Sequence, residues 1–135
     1  MKFSYQRLLT VIVIMIAIVN ISQAQPKRNS ILFFSIDNWV EVYVEGEMVF
    51  KKASDAGNLK QPVEFDLNPF IQGIEEPLVE IKLINAKCTT CDTSNGWIIE
   101  FEVFQDGESV DYMLEKGDSM GGDTVFTMIY EWGYI

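Results

Sequence analysis

Two cysteines separated by two residues form the motif with the most specific chemical spacing in this sequence. Cys88 and Cys91 lie just before the polar segment Asp92 to Gly96, and no helical pattern follows that would stabilise a thiolate. In an exported chain such a pair is expected to be oxidised. We therefore predict a disulfide that holds a surface loop, while a redox-active dithiol and one half of a metal site stay open as alternatives.

Paired carboxylates are the next candidates for chemistry. Glu100 and Glu102 alternate with apolar residues, so strand geometry places them about 7 Å apart on one face, within the range of glycosidase carboxylates. Acidic residues are so frequent, at 20 of 135, that a solvated strand face is the simpler explanation. The sequence has no histidine, which removes the commonest general base and most zinc and copper sites. We predict that the protein is not an enzyme.

A glycine-rich acidic loop near the C-terminus is a candidate for metal binding. Asp118 and Asp123 flank the residues Ser-Met-Gly-Gly, and their carboxylates together with backbone oxygens are ligands of the type that Ca²⁺ takes. The spacing is not that of an EF-hand. We predict no required cofactor, with Ca²⁺ at Asp118 and Asp123 as the open alternative.

Three aromatic residues are candidates for ligand binding. Trp97 follows the cysteine loop, Tyr43 has the solvent-facing parity of its strand, and Tyr112 lies in a later strand. Exposed aromatic rings stack on sugars and anchor protein partners. We predict that these three residues contribute to binding, with packing in the core as the alternative for Trp97.

The N-terminal 24 residues have the pattern of a secretory signal. Lys2 and Arg7 precede an apolar run, and Ser22 and Ala24 are the small residues that a signal peptidase reads. The run is shorter than the roughly 20 residues that a membrane-spanning helix needs, and an uncleaved anchor is the alternative. We predict a signal peptide at 1–24, a single domain at 25–135 with no membrane span, and a secreted or periplasmic location.

The net charge of the chain restricts the classes of partner that it can bind. The net charge is −10, and all 20 acidic residues lie after residue 24. A protein of that sign repels the phosphates of nucleic acids and anionic lipid surfaces. We predict that nucleic acid is not a partner, which leaves soluble partners and cations.

The elements that must position these residues are strands. Apolar and polar residues alternate with a period of two, which is typical of antiparallel strands with one buried face; the stretches are 40–44, 63–67, 79–84, 99–104 and 124–132. The pairs Glu45-Gly46 and Asp106-Gly107 predict β-hairpin turns. Asn68 is expected to cap a single helical turn. Six to eight short strands with almost no helix predict an all-β antiparallel sandwich, a small barrel being the alternative.

Parts of this pattern resemble the galactose-binding-like jelly-roll domains. The stretches that carry the resemblance are IDNWVEVYVEG at 36–46, FDLNPFIQG at 65–73, LVEIKLIN at 78–85 and GWIIEFEV at 96–103. Their order is similar to that of the family, although Glu45 stands where the family's turn usually has Asn. The resemblance implies a jelly-roll β-sandwich and a non-catalytic binding or accessory module, often acting beside carbohydrate-active proteins. It implies no individual sugar-contacting residue.

Two functions are consistent with these features. We predict an exported, non-catalytic binding module, with carbohydrate as the ligand class that the resemblance implies. The alternative is an interaction or structural subunit of an envelope or secreted protein assembly, with a sheet face or an edge strand as its contact. Sugar binding predicts two or more exposed aromatics lining one groove, whereas a subunit role predicts a contiguous apolar patch on a sheet face or a long unprotected edge strand.

Overall fold

The computed structural model describes residues 27–54, 59–85, 96–118 and 122–133. The signal peptide predicted at 1–24 and the disulfide predicted between Cys88 and Cys91 lie outside these ranges, so both stay predictions. Within the ranges, no helix is long and apolar enough to cross a membrane.

Strands dominate the described residues because their sequences alternate apolar and polar side chains. In chain order the elements are β1 (Ser30–Ile36), β2 (Trp39–Val44), β3 (Glu47–Ala53), β4 (Val63–Asp66), the short helix α1 (Asn68–Ile71), β5 (Leu78–Asn85), β6 (Gly96–Gln105), β7 (Glu108–Asp118) and β8 (Asp123–Glu131).

The described strands form two antiparallel sheets that pack face to face. Sheet A has the order β4-β1-β6-β7, and sheet B has the order β3-β2-β5-β8. The prediction of an all-β antiparallel sandwich is confirmed. The edges are β4 and β7 in sheet A, and β3 and β8 in sheet B.

A single apolar cluster fills the space between the sheets. The four central strands, β1, β2, β5 and β6, turn alternate side chains inward and bury them completely. Phe33 of β1 lies with its ring centroid 6.0 Å from that of Phe50 and 5.9 Å from that of Phe101. Burial of one such side chain stabilises a fold by about 1.5–3 kcal/mol, so the central strands provide most of the stability.

Both predicted hairpin turns are confirmed. Glu45 and Gly46 join β2 to β3 with φ of 50° and 80°, and Asp106 and Gly107 join β6 to β7 with φ of 55° and 96°. Positive φ at both central residues defines the type I′ turn, whose twist matches that of the strands it joins.

The short helix begins one residue earlier than the sequence indicates. Leu67 is the N-cap, and Asn68, expected as the cap, is the first helical residue. The reason is the carboxylate of Asp66, whose Oδ1 accepts the backbone N–H of Asn68 at 3.0 Å and its side-chain Nδ2 at 2.8 Å. Asp66 thus receives the amide that a capping side chain would have bound.

One end of the sandwich positions the candidate site. There β1 ends, β6 begins and β7 ends, while the chain passes from sheet A to sheet B through Asp37 and Asn38. The backbone N–H of Asp37 donates to the carbonyl of Ile98 at 3.0 Å, and that of Asn38 donates to the carbonyl of Ile84 at 3.3 Å. This corner is therefore tied to both sheets.

Candidate functional site

An open cleft of about 540 Å³ lies at this end of sheet A. It is bounded by the start of β6, the end of β7 and the corner between β1 and β2. The lining residues are Asp37, Gly96, Trp97, Ile98, Lys116, Gly117 and Asp118. The volume suits a small molecule rather than a protein.

Trp97 is half-buried in the cleft, and its indole lies directly over Gly117 of the neighbouring strand. A Cβ at Gly117 would lie 2.7 Å from Cζ2 and 2.9 Å from Cε2 of the ring, closer than Cβ atoms approach other atoms in proteins. The indole also packs against the core. Its orientation is therefore set by packing before any ligand arrives, as a binding site requires.

Asp37 supplies a carboxyl group whose position is fixed by the strand corner. Burial raises its pKa above the usual value. Its Oδ1 accepts a hydrogen bond from Asn38 Nδ2 at 2.8 Å, and its backbone is bound to β6 through Ile98. The carboxyl group is thus held at the rim by one backbone hydrogen bond to β6 and one side-chain hydrogen bond from Asn38.

The end of β7 adds one charge of each sign. Lys116 and Asp118 are exposed and two residues apart, which places their side chains on the same face about 7 Å from one another. Strand alternation turns both side chains to the outer face of sheet A, whereas Trp97 and Gly117 have the inward parity. The cleft at the strand ends is thus bordered by an ammonium group and a carboxyl group from the outer side, and by Asp37 and the indole. Such a set can donate to and accept from hydroxyl groups while an apolar ring face stacks on C–H groups.

Tyr43 lies on a different surface, the outer face of sheet B. The carboxylate of Glu41 links Tyr43 to two neighbouring side chains. Its Oε2 accepts a hydrogen bond from Tyr43 OH at 2.7 Å, and its Oε1 accepts from Lys51 Nζ at 2.8 Å and from Trp39 Nε1 at 3.2 Å. The hydrogen bonds from Lys51 and then Tyr43 lower the pKa of Glu41. Ammonium groups also lie over the rings, Lys51 at 4.9 Å from the Trp39 centroid and Lys82 at 4.5 Å from that of Tyr43. These rings are already engaged by the protein.

Tyr112 lies on a third surface, the outer face of sheet A. The residue is 53% exposed, and its hydroxyl donates to Glu100 Oε1 at 2.6 Å. Ser35 donates to the other oxygen of Glu100 at 3.2 Å, while Ser109 donates to Glu102 on the same face. Both glutamates are therefore held by neutral hydroxyl groups. The three aromatic residues singled out in the sequence do not share one groove. The prediction of two or more exposed aromatics in one sugar-binding groove is therefore not met among the described residues, because Trp97 is the one aromatic that lines the cleft.

The two calcium candidates belong to different sheets. Asp118 ends β7 in sheet A, and Asp123 begins β8 in sheet B. Across the described ranges no group of three or more acidic or cysteine side chains could hold a metal ion, but residues 119–121 are outside those ranges. Calcium binding stays a prediction.

Sequence reasoning did not identify Lys116 and Gly117 as neighbours of Trp97. A hairpin that pairs its strands without interruption from the Asp106-Gly107 turn would place Trp97 opposite Lys116. In the structure β7 has one extra residue, because Phe104 pairs with Ser109 but Val103 pairs with Asp111, and this shifts the register by one. Trp97 consequently pairs with Gly117. A β-bulge gives no reliable signal in a single sequence, so this neighbour could only be found in the structure.

Comparison with known proteins gives no relative for this fold and cleft. No family model matches the chain, no curated protein matches it, and no solved structure matches it. The kinship with galactose-binding-like domains therefore stays a prediction, and function must be argued from the site itself.

Proposed function

We propose that the protein is an exported, non-catalytic module that binds a carbohydrate in the cleft at the end of sheet A. The observation that carries this proposal is the convergence of Trp97, Asp37, Lys116 and Asp118 on one cleft. These residues come from two hairpin strands and a strand corner that are far apart in the sequence.

The chemistry of the cleft fits a neutral, hydroxyl-rich ligand. Carboxylates accept hydrogen bonds from hydroxyl groups, and an ammonium group donates hydrogen bonds to them. The indole offers an apolar surface to the C–H face of a sugar ring. A strongly anionic ligand fits poorly, because Asp37 and Asp118 outnumber Lys116 at the rim and the whole chain carries a net charge of −10.

A screen of the purified protein on an array of glycans tests this function. We expect binding to a limited set of neutral glycans, because the cleft is small and its polar groups have fixed positions that select among hydroxyl arrangements. Absence of binding to every glycan on the array would contradict the proposal.

Two matched variants locate the binding on the molecule. Asp118→Ala and Glu108→Ala each remove one exposed carboxylate, from the cleft end and from the turn end of β7. Loss of a charged hydrogen bond worth about 1.5–3 kcal/mol corresponds to roughly tenfold to hundredfold weaker binding for Asp118→Ala. Titration calorimetry should show no change for Glu108→Ala. Equal affinities of the two variants would place the ligand elsewhere.

A further inference from the structure

The free edge of β8 lacks the features that block strand pairing. β8 is the outer strand of sheet B, and no described residue pairs with its free side. It has nine residues, and between Asp123 and Glu131 it contains no charge, no proline and no glycine. An edge of this kind offers unpaired N–H and C=O groups to another strand.

The other three edges of the described sheets are protected. β4 is only four residues long. β3 has Lys51 and Lys52 along its length, and β7 has Asp111, Glu115 and Lys116. Short length and charged side chains are the means by which proteins keep edges from pairing. The open edge is therefore particular to β8.

The side chains beside this edge favour an added strand. Ile129 is 57% exposed on the outer face of sheet B, opposite Glu80 of β5. Phe126 and Met128 pack against the core but are only partly buried. A further strand would cover all three apolar side chains, which adds a hydrophobic contribution to the backbone hydrogen bonds.

The acidic residues at the ends of β8 determine which charges an added strand should carry. Acidic residues outnumber basic ones by 20 to 10. Several basic side chains are already paired with acidic neighbours, namely Lys27, Arg28, Lys51 and Lys82. A second copy pairing antiparallel about Thr127 would place Asp123 opposite Glu131 at both ends, and like charges directly opposite are destabilising. Lysine or arginine at those positions would meet an opposite charge.

We propose that the free edge of β8 is a docking site for an extended segment of another protein, in which basic residues flank an uncharged strand-forming tract. The segment adds to sheet B as a fifth strand, so backbone hydrogen bonds give affinity and the flanking charges select the partner. This surface is separate from the carbohydrate cleft, and the inference does not depend on the function proposed there.

Synthetic peptides of nine residues, the length of β8, test the proposal. The first has alternating threonine and valine between terminal lysines, and the second has glutamates in place of the lysines. A third is the lysine peptide with N-methyl groups on alternate residues, which removes strand hydrogen bonds without changing charge. We expect only the first to bind with a Kd below about 1 mM, and hydrogen exchange followed by NMR should show new protection confined to amides of β8.

A matched pair of protein variants locates the contact. Thr127→Lys places a charge on the free edge, whereas Met48→Lys adds the same charge at an exposed position on β3, the opposite edge of sheet B. We expect at least tenfold weaker binding of the lysine peptide to Thr127→Lys, and binding to Met48→Lys close to that of the unaltered protein.

Four results would overturn the proposal: no binding of the lysine peptide, equal binding of its N-methylated form, protection of another strand, or self-association of the protein through β8. The peptide series does not depend on the folding of any variant. Failure of glycan binding leaves its outcome unaffected, so the two proposals can fail separately.

Discussion

At the residue scale, the cleft depends on the absence of one side chain. Trp97 occupies the space above Gly117 that a Cβ would need, and this contact orients the ring at the rim. The sequence singles out Trp97 as an aromatic residue next to a loop. It does not indicate that a glycine lies beneath the ring, because that pairing depends on the bulge in the β6–β7 ladder.

Replacement of this glycine tests the contact. Gly117→Ala forces the ring of Trp97 to move, and we expect it to destabilise the protein by about 1–3 kcal/mol, the usual cost of overpacking. Chemical denaturation measures the loss. Trp97→Phe has a smaller ring, so the double variant should lose less than the sum of the two single variants. Strict additivity would show that the two residues are not in contact.

Two carboxylates should make stability depend on pH. Hydrogen bonds from Lys51 and Tyr43 lower the pKa of Glu41 below the usual value of a glutamate carboxyl, and hydrogen bonds from Ser30 and Arg28 do the same for Glu64. The unfolded chain therefore binds more protons in acid. Stability contributed by these groups is present above about pH 4.5 and is lost as the pH falls through the folded pKa values.

Removal of both charges should make the stability of the protein depend less on pH under acid conditions. We expect the variant Glu41→Gln/Glu64→Gln to lose stability less steeply than the unaltered protein when denaturation is measured between about pH 6 and pH 3. Glu108→Gln, at an exposed position, serves as the control. The raised pKa of Asp37 acts in the opposite direction, because its folded form gains a proton first. An unchanged slope in the double variant would refute the assignment.

At the scale of elements, local chemistry was predictable and register was not. The alternating stretches became strands, and Glu45-Gly46 and Asp106-Gly107 became hairpin turns. Both are decided by residues close in sequence. The helix cap was wrong because Asp66, two residues before Asn68, bound the amide that needed a partner. Competition of this kind between neighbouring side chains is not resolved by residue preferences.

The hairpin turns offer a test at this scale. Gly107 has a φ of 96° and Gly46 a φ of 80°, and in both positions a Cβ would meet nothing within 4 Å. An alanine there is opposed by backbone conformation alone, so we expect Gly107→Ala and Gly46→Ala each to destabilise the protein by about 1–2 kcal/mol. Thermal denaturation measures the effect. Two fully stable variants would show that the turns are not type I′.

At the scale of the whole molecule, the sandwich separates the two surfaces for which we propose binding. The cleft gathers Asp37, Trp97 and Asp118 at one end of sheet A, and the open edge lies along β8 of sheet B. The sequence predicted a sandwich of six to eight strands, and the described residues form eight strands in two layers. The strand order could not be predicted, because β1 pairs with β4 and β6, which are distant in the chain. The site depends on that order, so it could not be assembled from the sequence.

The most direct test of this account is a ¹⁵N NMR titration of the purified protein with a glycan selected on the array. The central claim is that this ligand binds at the end of sheet A. We predict that the amides of Trp97, Ile98, Gly117 and Asp118 shift and that those of β8 do not. Shifts confined to the outer face of sheet B around Tyr43, or to any surface other than the cleft, would contradict it.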